Sequence, residues 1–164
     1  PCYSCFKLFF LKFTDYFACM INLRFPEPDF KIRELEGQPE IFDGIRQKWV
    51  SLQPEEWVRQ NFINWLIKAA GIPAHSIAVE KGLRLGSLMK RIDLLVFDSS
   101  TQPWMMVECK AAGVPLKAPV LMQILSYNLA IPVRYLVVTN GVECHVADKK
   151  KEIPEWVSFF PKHE

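Results

Sequence analysis

Apolar residues recur at two different periods along this chain, and the changes of period divide it into elements. Between residues 22 and 52 the apolar runs are short and extended. Residues 30–35, 39–43 and 48–52 are separated by Glu36-Gly37-Gln38 and by Gly44, which predicts a small antiparallel addition at the front of the domain. From Pro54 the period becomes helical, with Val58, Phe62, Leu66 and Ala69 on one stripe. Pro54 suits the first turn, Glu55 and Glu56 sit near the positive end of the helix dipole, and Gly71 with Pro73 stops the helix. Residues 77–83 and 90–98 then read as strands joined through Gly86-Ser87, a spacing that makes a long hairpin. Residues 99–103 are turn formers, and a third strand follows from Trp104.

A loop over 111–116 leads to Pro119, which opens a second helix reaching about Ala130 with Val120, Ile124 and Leu125 on its packing side. Residues 133–139 and 142–146 are strands, and Asn140-Gly141 between them is a two-residue hairpin signal. The tail carries Ile153, Trp156, Val157, Phe159 and Phe160, apolar enough to dock on the body. The order is α-β-β-β-α-β-β behind a short N-terminal β addition. That order predicts an α/β fold with a mixed central sheet flanked by a helix on each face.

Two of these strands carry charge where a buried strand should carry none. Asp93 interrupts the apolar run around Ile92, Leu94, Leu95 and Val96, and Glu108 and Lys110 close the run that begins at Trp104. Side chains alternate along a strand, so Glu108 and Lys110 point the same way, and hairpin pairing brings Asp93 toward that face. Unpaired charge is costly to bury, so two acids and a lysine in apolar strands need a purpose. Charges on an edge strand against aggregation are the plainer explanation for Glu108 and Lys110 alone; the added Asp93 turns the balance toward a functional site.

Composition narrows the choices. A chain of 164 residues that is 50% hydrophobic and 13% aromatic can bury a core, which excludes a disordered class. The net charge of +2 gives no global signal for nucleic acid, so any such surface must be a local patch. Lys81, Arg84, Lys90 and Arg91 gather around the hairpin, with Lys117 and Arg134 elsewhere. No run of about 20 uncharged apolar residues exists, so no membrane association is expected. Residues 1–19 hold three of the five cysteines and five of the twelve phenylalanines, and Met20 follows directly. They are expected to be a vestigial or non-native extension, with 20–164 forming a single domain. Cys109 and Cys144 alone then remain, as in a reducing, cytoplasmic compartment. His75, His145 and His163 are scattered, which disfavours zinc, and Cys109 has no histidine partner to make it a nucleophile.

Two converging carboxylates suit a hard divalent ion. Magnesium takes one or two protein carboxylates, here Asp93 and Glu108, and the backbone carbonyl of Cys109 offers a further oxygen. Such an ion lowers the pKa of a water that can attack phosphorus, while Lys110 orients that water, deprotonates it or stabilises charge on the phosphate. Gln123 and Tyr127, four apart on the second helix, share a face. Glu55 is read first as a helix-start charge.

Asp93, fourteen intervening residues and then Glu108-Cys109-Lys110 resemble the signature of the PD-(D/E)xK nucleases, and the element order resembles the restriction-endonuclease-like core of that superfamily. Gln123-x-x-x-Tyr127 is similar to the Q-x-x-x-Y motif of several of its branches. The stretch from Glu55 through Arg59, Phe62 and Ile63 to Leu66 resembles the acidic first helix of the type I restriction branch. The span from about 30 to 140 looks like the small stand-alone bacterial proteins related to the N-terminal nuclease domain of type I restriction R subunits. Ile92 stands where the motif's name has proline. The resemblance implies a metal-dependent DNA endonuclease of restriction-modification type. It makes Asp93 and Glu108 the ligands of Mg2+, or of Mn2+ in its place, Lys110 the catalytic lysine, Gln123 and Tyr127 liners of the site, and Glu55 an outer acid, with Glu56 and Glu80 as rivals for that role. Implied partners are DNA and a second copy of the chain or other restriction or repair subunits. The other class is a DNA-binding or scaffold protein that keeps the fold without turnover; a third reading has the acids simply paired with Lys110 and Arg91.

Overall fold

The computed structural model describes residues 20–85, 88–150 and 154–163. The extension over 1–19, the hairpin turn at 86–87 and Ile153 lie outside the described residues. Elements follow in the order β1 (Ile32–Leu35), β2 (Gln38–Asp43), β3 (Lys48–Ser51), α1 (Pro54–Lys68), a 3-10 turn (Ala74–Ser76), β4 (Ile77–Leu85), β5 (Leu88–Phe97), β6 (Pro103–Cys109), α2 (Ala118–Asn128), β7 (Tyr135–Thr139), β8 (Cys144–Asp148) and β9 (Glu155–Val157). Strands β1–β3 form a separate antiparallel meander, and β4 to β9 form a six-stranded sheet in sequential order. Only the β6–β7 pair of that sheet is parallel, because α2 carries the chain back across one face.

Each face of the large sheet buries one helix. Met105, Val107, Tyr135, Val137, Cys144 and Val146 pack with Val58, Phe62 and Leu66 of α1. The alternate residues Met106, Leu136, Val138 and Ala147 pack with Val120, Leu121 and Ile124 of α2. Strand alternation thus divides one apolar run between two cores, which is why these strands read as continuously hydrophobic. At about 25 cal/mol per Å² of apolar surface, these cores are the main stabilising term.

Three details differ from the periodicity. Helix α1 stops at Lys68, so Ala69 is its exposed C-cap, and Ile63 and Trp65 take up the stripe instead. The tail adds β9 to the edge of the sheet through Val146↔Val157 and Ala147↔Trp156. The β7–β8 connection spans residues 140–143 rather than two residues. Oδ1 of Asn140 accepts the amides of Val142 and Glu143, an Asx arrangement that widens the loop, and Val142 is left exposed.

The fourth difference shapes the site. Ile77 and Val79 of β4 face the α1 core, yet Leu83 faces the α2 core. Likewise Leu94 and Val96 of β5 face α1, yet Ile92 faces α2. An unbroken strand would keep these sets on one side. The alternation breaks in both strands at Glu80 and Asp93, which stand opposite each other between the pairs Val79↔Leu94 and Lys81↔Ile92. Glu80 adopts φ +52°, a left-handed conformation that is strained for a side chain with a Cβ and costs about 1–3 kcal/mol unless its surroundings hold it.

Candidate active site

Strands β5 and β6 pair from Val96↔Met105 to Leu94↔Val107 and then part. Past that point the amide of Cys109 donates not to a strand carbonyl but to Oδ2 of Asp93, at 2.8 Å. The carboxylate therefore closes the ladder where the strands separate, and a cleft of about 580 Å³ opens beside it. Glu55 and Arg59 of α1, Lys90, Arg91 and Asp93 of β5, Glu108 and Lys110 at the end of β6, and Gln123 and Tyr127 of α2 all line this cleft. The structure thus brings Asp93, Glu108, Lys110, Gln123, Tyr127 and Glu55 together. Cys109 contributes only its backbone there, since its side chain is buried in the α1 core and burial pushes its thiol well above the usual range.

On the α2 side, Nζ of Lys110 donates to Oε1 of Glu108 at 2.6 Å and lies 3.4 Å from Oε1 of Gln123. Nε2 of Gln123 donates to Glu108 and sits 3.0 Å from the Tyr127 hydroxyl. Gln123 and Tyr127 reach this point together because four residues make one helical turn. Burial and the charge of Asp93 push the Glu108 carboxyl up to about 7, although Lys110 pulls the other way. Burial works against the Lys110 ammonium, but its bond to Glu108 and the charges of Glu108, Glu55 and Asp93 prevail, so its pKa rises. Lys110 is therefore a fixed cation rather than a ready base. Tyr127 is likewise held as a neutral phenol, raised by burial and by Glu108 against its bond from Gln123.

On the α1 side, Asp93 pairs with Arg59, whose Nη2 lies 2.9 Å from Oδ1. The expected pairing with Arg91 is not found; Arg91 is exposed and reaches Glu80 at 3.3 Å. Helix α1 and strand β4 offer three acids near the cleft, Glu55, Glu56 and Glu80, and the structure separates them. Glu56 is buried between Arg59, Arg46 and Gln60, and Glu80 is held by Arg46, Arg59 and Arg91. Glu55 lines the cleft with its side chain 44% exposed and 3.7 Å from Arg59.

Sequence reasoning missed Asp43, Arg46 and Gln60, and it missed Arg59 as the partner of Asp93. The β2–β3 turn is folded around Asp43, whose Oδ1 accepts the amides of Ile45 and Arg46 and whose Oδ2 accepts from Arg46 at 2.6 Å and Gln60 at 2.8 Å. One signal was present. Asp43 directly follows the apolar pair Ile41-Phe42 at the end of a predicted strand.

The donor set suits a hard divalent cation, because two carboxylates and a carbonyl offer oxygen alone. Among the described residues no group of three or more His, Cys, Asp or Glu converges to hold a metal. Also among them, no helix is long and apolar enough to cross a membrane.

Comparison with known proteins agrees with the motifs. No curated protein matches the chain. The family model described as Type I restriction enzyme R protein N terminus (HSDR_N) matches residues 54–161, from the first turn of α1 to beyond β9. That span is more than half of the 164 residues and carries every side chain lining the cleft. The chain therefore belongs to the type I restriction enzyme R protein N-terminal family.

Proposed function

We propose that the chain is a magnesium-dependent DNA endonuclease module of the PD-(D/E)xK superfamily, with a restriction-endonuclease-like core, working in the bacterial cytoplasm. The observation that carries this reading is the meeting of Asp93, Glu108 and Lys110 in one cleft with Gln123 and Tyr127 of the next helix. Asp93 and Glu108 would hold Mg2+, or Mn2+ in its place, with the carbonyl of Cys109 as a further oxygen. Bound there, the ion supplies charge neutralisation at the scissile phosphate and a water of lowered pKa.

The chain's own residues do the rest. Lys110, kept protonated by Glu108, stabilises negative charge growing on the phosphate and orients the attacking water. Gln123 holds the Glu108 carboxylate and Tyr127 holds Gln123, which fixes the acid's direction. Glu55 is the outer acid, since of the three it alone lines the cleft and stays exposed, with one long contact to Arg59, whereas Glu56 and Glu80 are held by several arginine bonds. Lys90 and Arg91 on the cleft wall, with Lys81 on the neighbouring strand, give phosphate contacts to a DNA backbone. With one site per chain, cleavage of both strands calls for a second copy or another restriction subunit.

A second reading is a DNA-binding or scaffold protein that keeps the fold. It is favoured by the ion pairs that already occupy both acids, Arg59 on Asp93 and Lys110 on Glu108. Calorimetric titration with Mn2+ separates the two. The nuclease reading expects binding that Asp93→Ala and Glu108→Ala abolish, together with nicking of plasmid, branched or single-stranded DNA that Lys110→Ala abolishes. No binding at millimolar metal, or nicking that survives Lys110→Ala, would overturn it.

A further inference from the structure

Five buried charges run in a line from the N-terminal meander to the cleft. Asp43 at the end of β2 binds Nε of Arg46 at 2.6 Å, and Nη2 of Arg46 binds Glu56 at 2.8 Å. Glu56 binds Nη1 of Arg59, and Nη2 of Arg59 binds Asp93 at 2.9 Å. Their side chains keep at most 11% of their exposure, so none of the pairs is a solvent-screened surface contact.

A guanidinium is planar and rigid, and its two outer nitrogens are fixed relative to each other. Once Glu56 fixes one edge of Arg59, the other edge has a single direction in which to meet Asp93. Oδ2 of Asp93 is bonded to the Cys109 amide, so Arg59 and that amide together set the plane of the carboxylate. Glu56 is in turn fixed by Arg46 and Gln60, and Arg46 by Asp43 and Glu80. Glu80 reaches Arg46 from a strained backbone conformation, φ +52°.

We propose that Arg59 is the positioning residue of the cleft: it sets the orientation of Asp93, and through Glu56 and Arg46 makes that orientation depend on the β1–β3 meander. This rests on the nuclease reading for its consequence in catalysis, but the coupling itself is a property of the fold. The meander supplies no residue to the cleft lining. It lies before the span matched by the family model as well, so it is a support that the cleft residues alone would not reveal.

The Cys109 amide reports the position of Asp93 directly, because its hydrogen bond ends on that carboxylate. The next amide, Lys110, bonds the Thr139 carbonyl and serves as a control. Hydrogen exchange would be followed by NMR in the full chain, in Arg59→Lys, Arg46→Gln and the near-isosteric Glu56→Gln, with thermal melts to show that each is folded. Exchange at Cys109 is expected to quicken about 10-fold or more in Arg59→Lys, which keeps the charge but loses the fork, with Lys110 unchanged. Arg46→Gln and Glu56→Gln should quicken it about 3- to 10-fold, and combining Arg46→Gln with Arg59→Lys should add nothing further. In DNA nicking, kcat should fall about 10- to 100-fold with KM within about 2-fold, as for groups that orient a ligand.

A folded Arg59→Lys or Glu56→Gln with wild-type protection at Cys109, or additive effects of Arg46 and Arg59, would overturn the proposal. If the wild-type chain neither binds Mn2+ nor nicks DNA, the nuclease reading fails, and exchange at Cys109 still decides the coupling.

Discussion

Among the described residues two clusters of buried acids stand out, and they are neutralised to different degrees. Around Arg46, the acids are saturated. Asp43 accepts four hydrogen bonds, and although burial works against its charge, the bonds from Arg46 and Gln60 prevail and hold its carboxyl below the usual range. Around Lys110, the acids are in deficit. Glu108 has one cation and one amide, and burial beside Asp93 pushes it up to about 7. The first cluster lies out of the cleft and the second lines it. The acids around Arg46 are compensated from within the chain, whereas Glu108, buried beside a second acid, is left with less compensation. Asp93 belongs to both clusters, with Arg59 on one side and Glu108 on the other.

Removing the cation of the deficient cluster should have the largest effect on activity. Lys110→Ala is expected to lower the rate of metal-dependent DNA nicking by about 10³-fold while leaving the chain folded by circular dichroism. A variant with near wild-type nicking would remove the distinction between the clusters.

In the saturated cluster the effect should fall on stability instead. Asp43→Ala leaves Arg46 and two amides without their buried partner and should destabilise the fold by about 3–5 kcal/mol in chemical denaturation. A loss under about 1 kcal/mol would show that the compensation is incidental.

The two acids should also give opposite responses to pH. The Glu108 carboxyl binds its proton more tightly in the folded chain, at about 7, than in the unfolded chain near 4.5. Its stabilising contribution is therefore full below about 4.5 and is lost as pH rises through about 7. Metal-free Glu108→Gln should be more stable than the wild-type chain at pH 8 by about 1–3 kcal/mol, and the gap should shrink toward pH 5. Asp43, lowered in the folded state, contributes stability above 3.8 that is lost as pH falls below it. Denaturation curves at pH 3, 5 and 8 would test both signs.

The smallest effect is expected at Glu55, half exposed on the cleft rim. Glu55→Gln should change stability by less than about 0.5 kcal/mol and reduce nicking about 10-fold. Wild-type nicking and wild-type Mn2+ affinity in Glu55→Gln would remove Glu55 as the outer acid.

Much of the fold was legible because it depends on local periods. The strands around Leu94 and Val107 and the helices opened by Pro54 and Pro119 follow from side-chain alternation and helix-start chemistry. Gln123 and Tyr127 were legible for the same reason, as a spacing of one helical turn. The break of alternation at Glu80 and Asp93 was not, because regular alternation extrapolates straight through it, and the Glu80 side chain is engaged by Arg46 and Arg59 of other elements as well as by Arg91 of the paired strand. The β7–β8 loop was misjudged because a side-chain bond from Asn140 overrides the shorter turn.

By itself, the sequence determined that helices and strands alternate in an α/β chain, and it exposed the anomaly of two acids and a lysine in apolar strands. Each is set by neighbours within a few residues. Only the tertiary structure decided which cation meets which acid. Arg59 and Asp93 are 34 residues apart, as are Arg46 and Glu80, and no spacing rule joins them. Pairing at that range depends on how α1, the meander and the sheet pack, and the low dielectric of that packed interior makes the pairing matter.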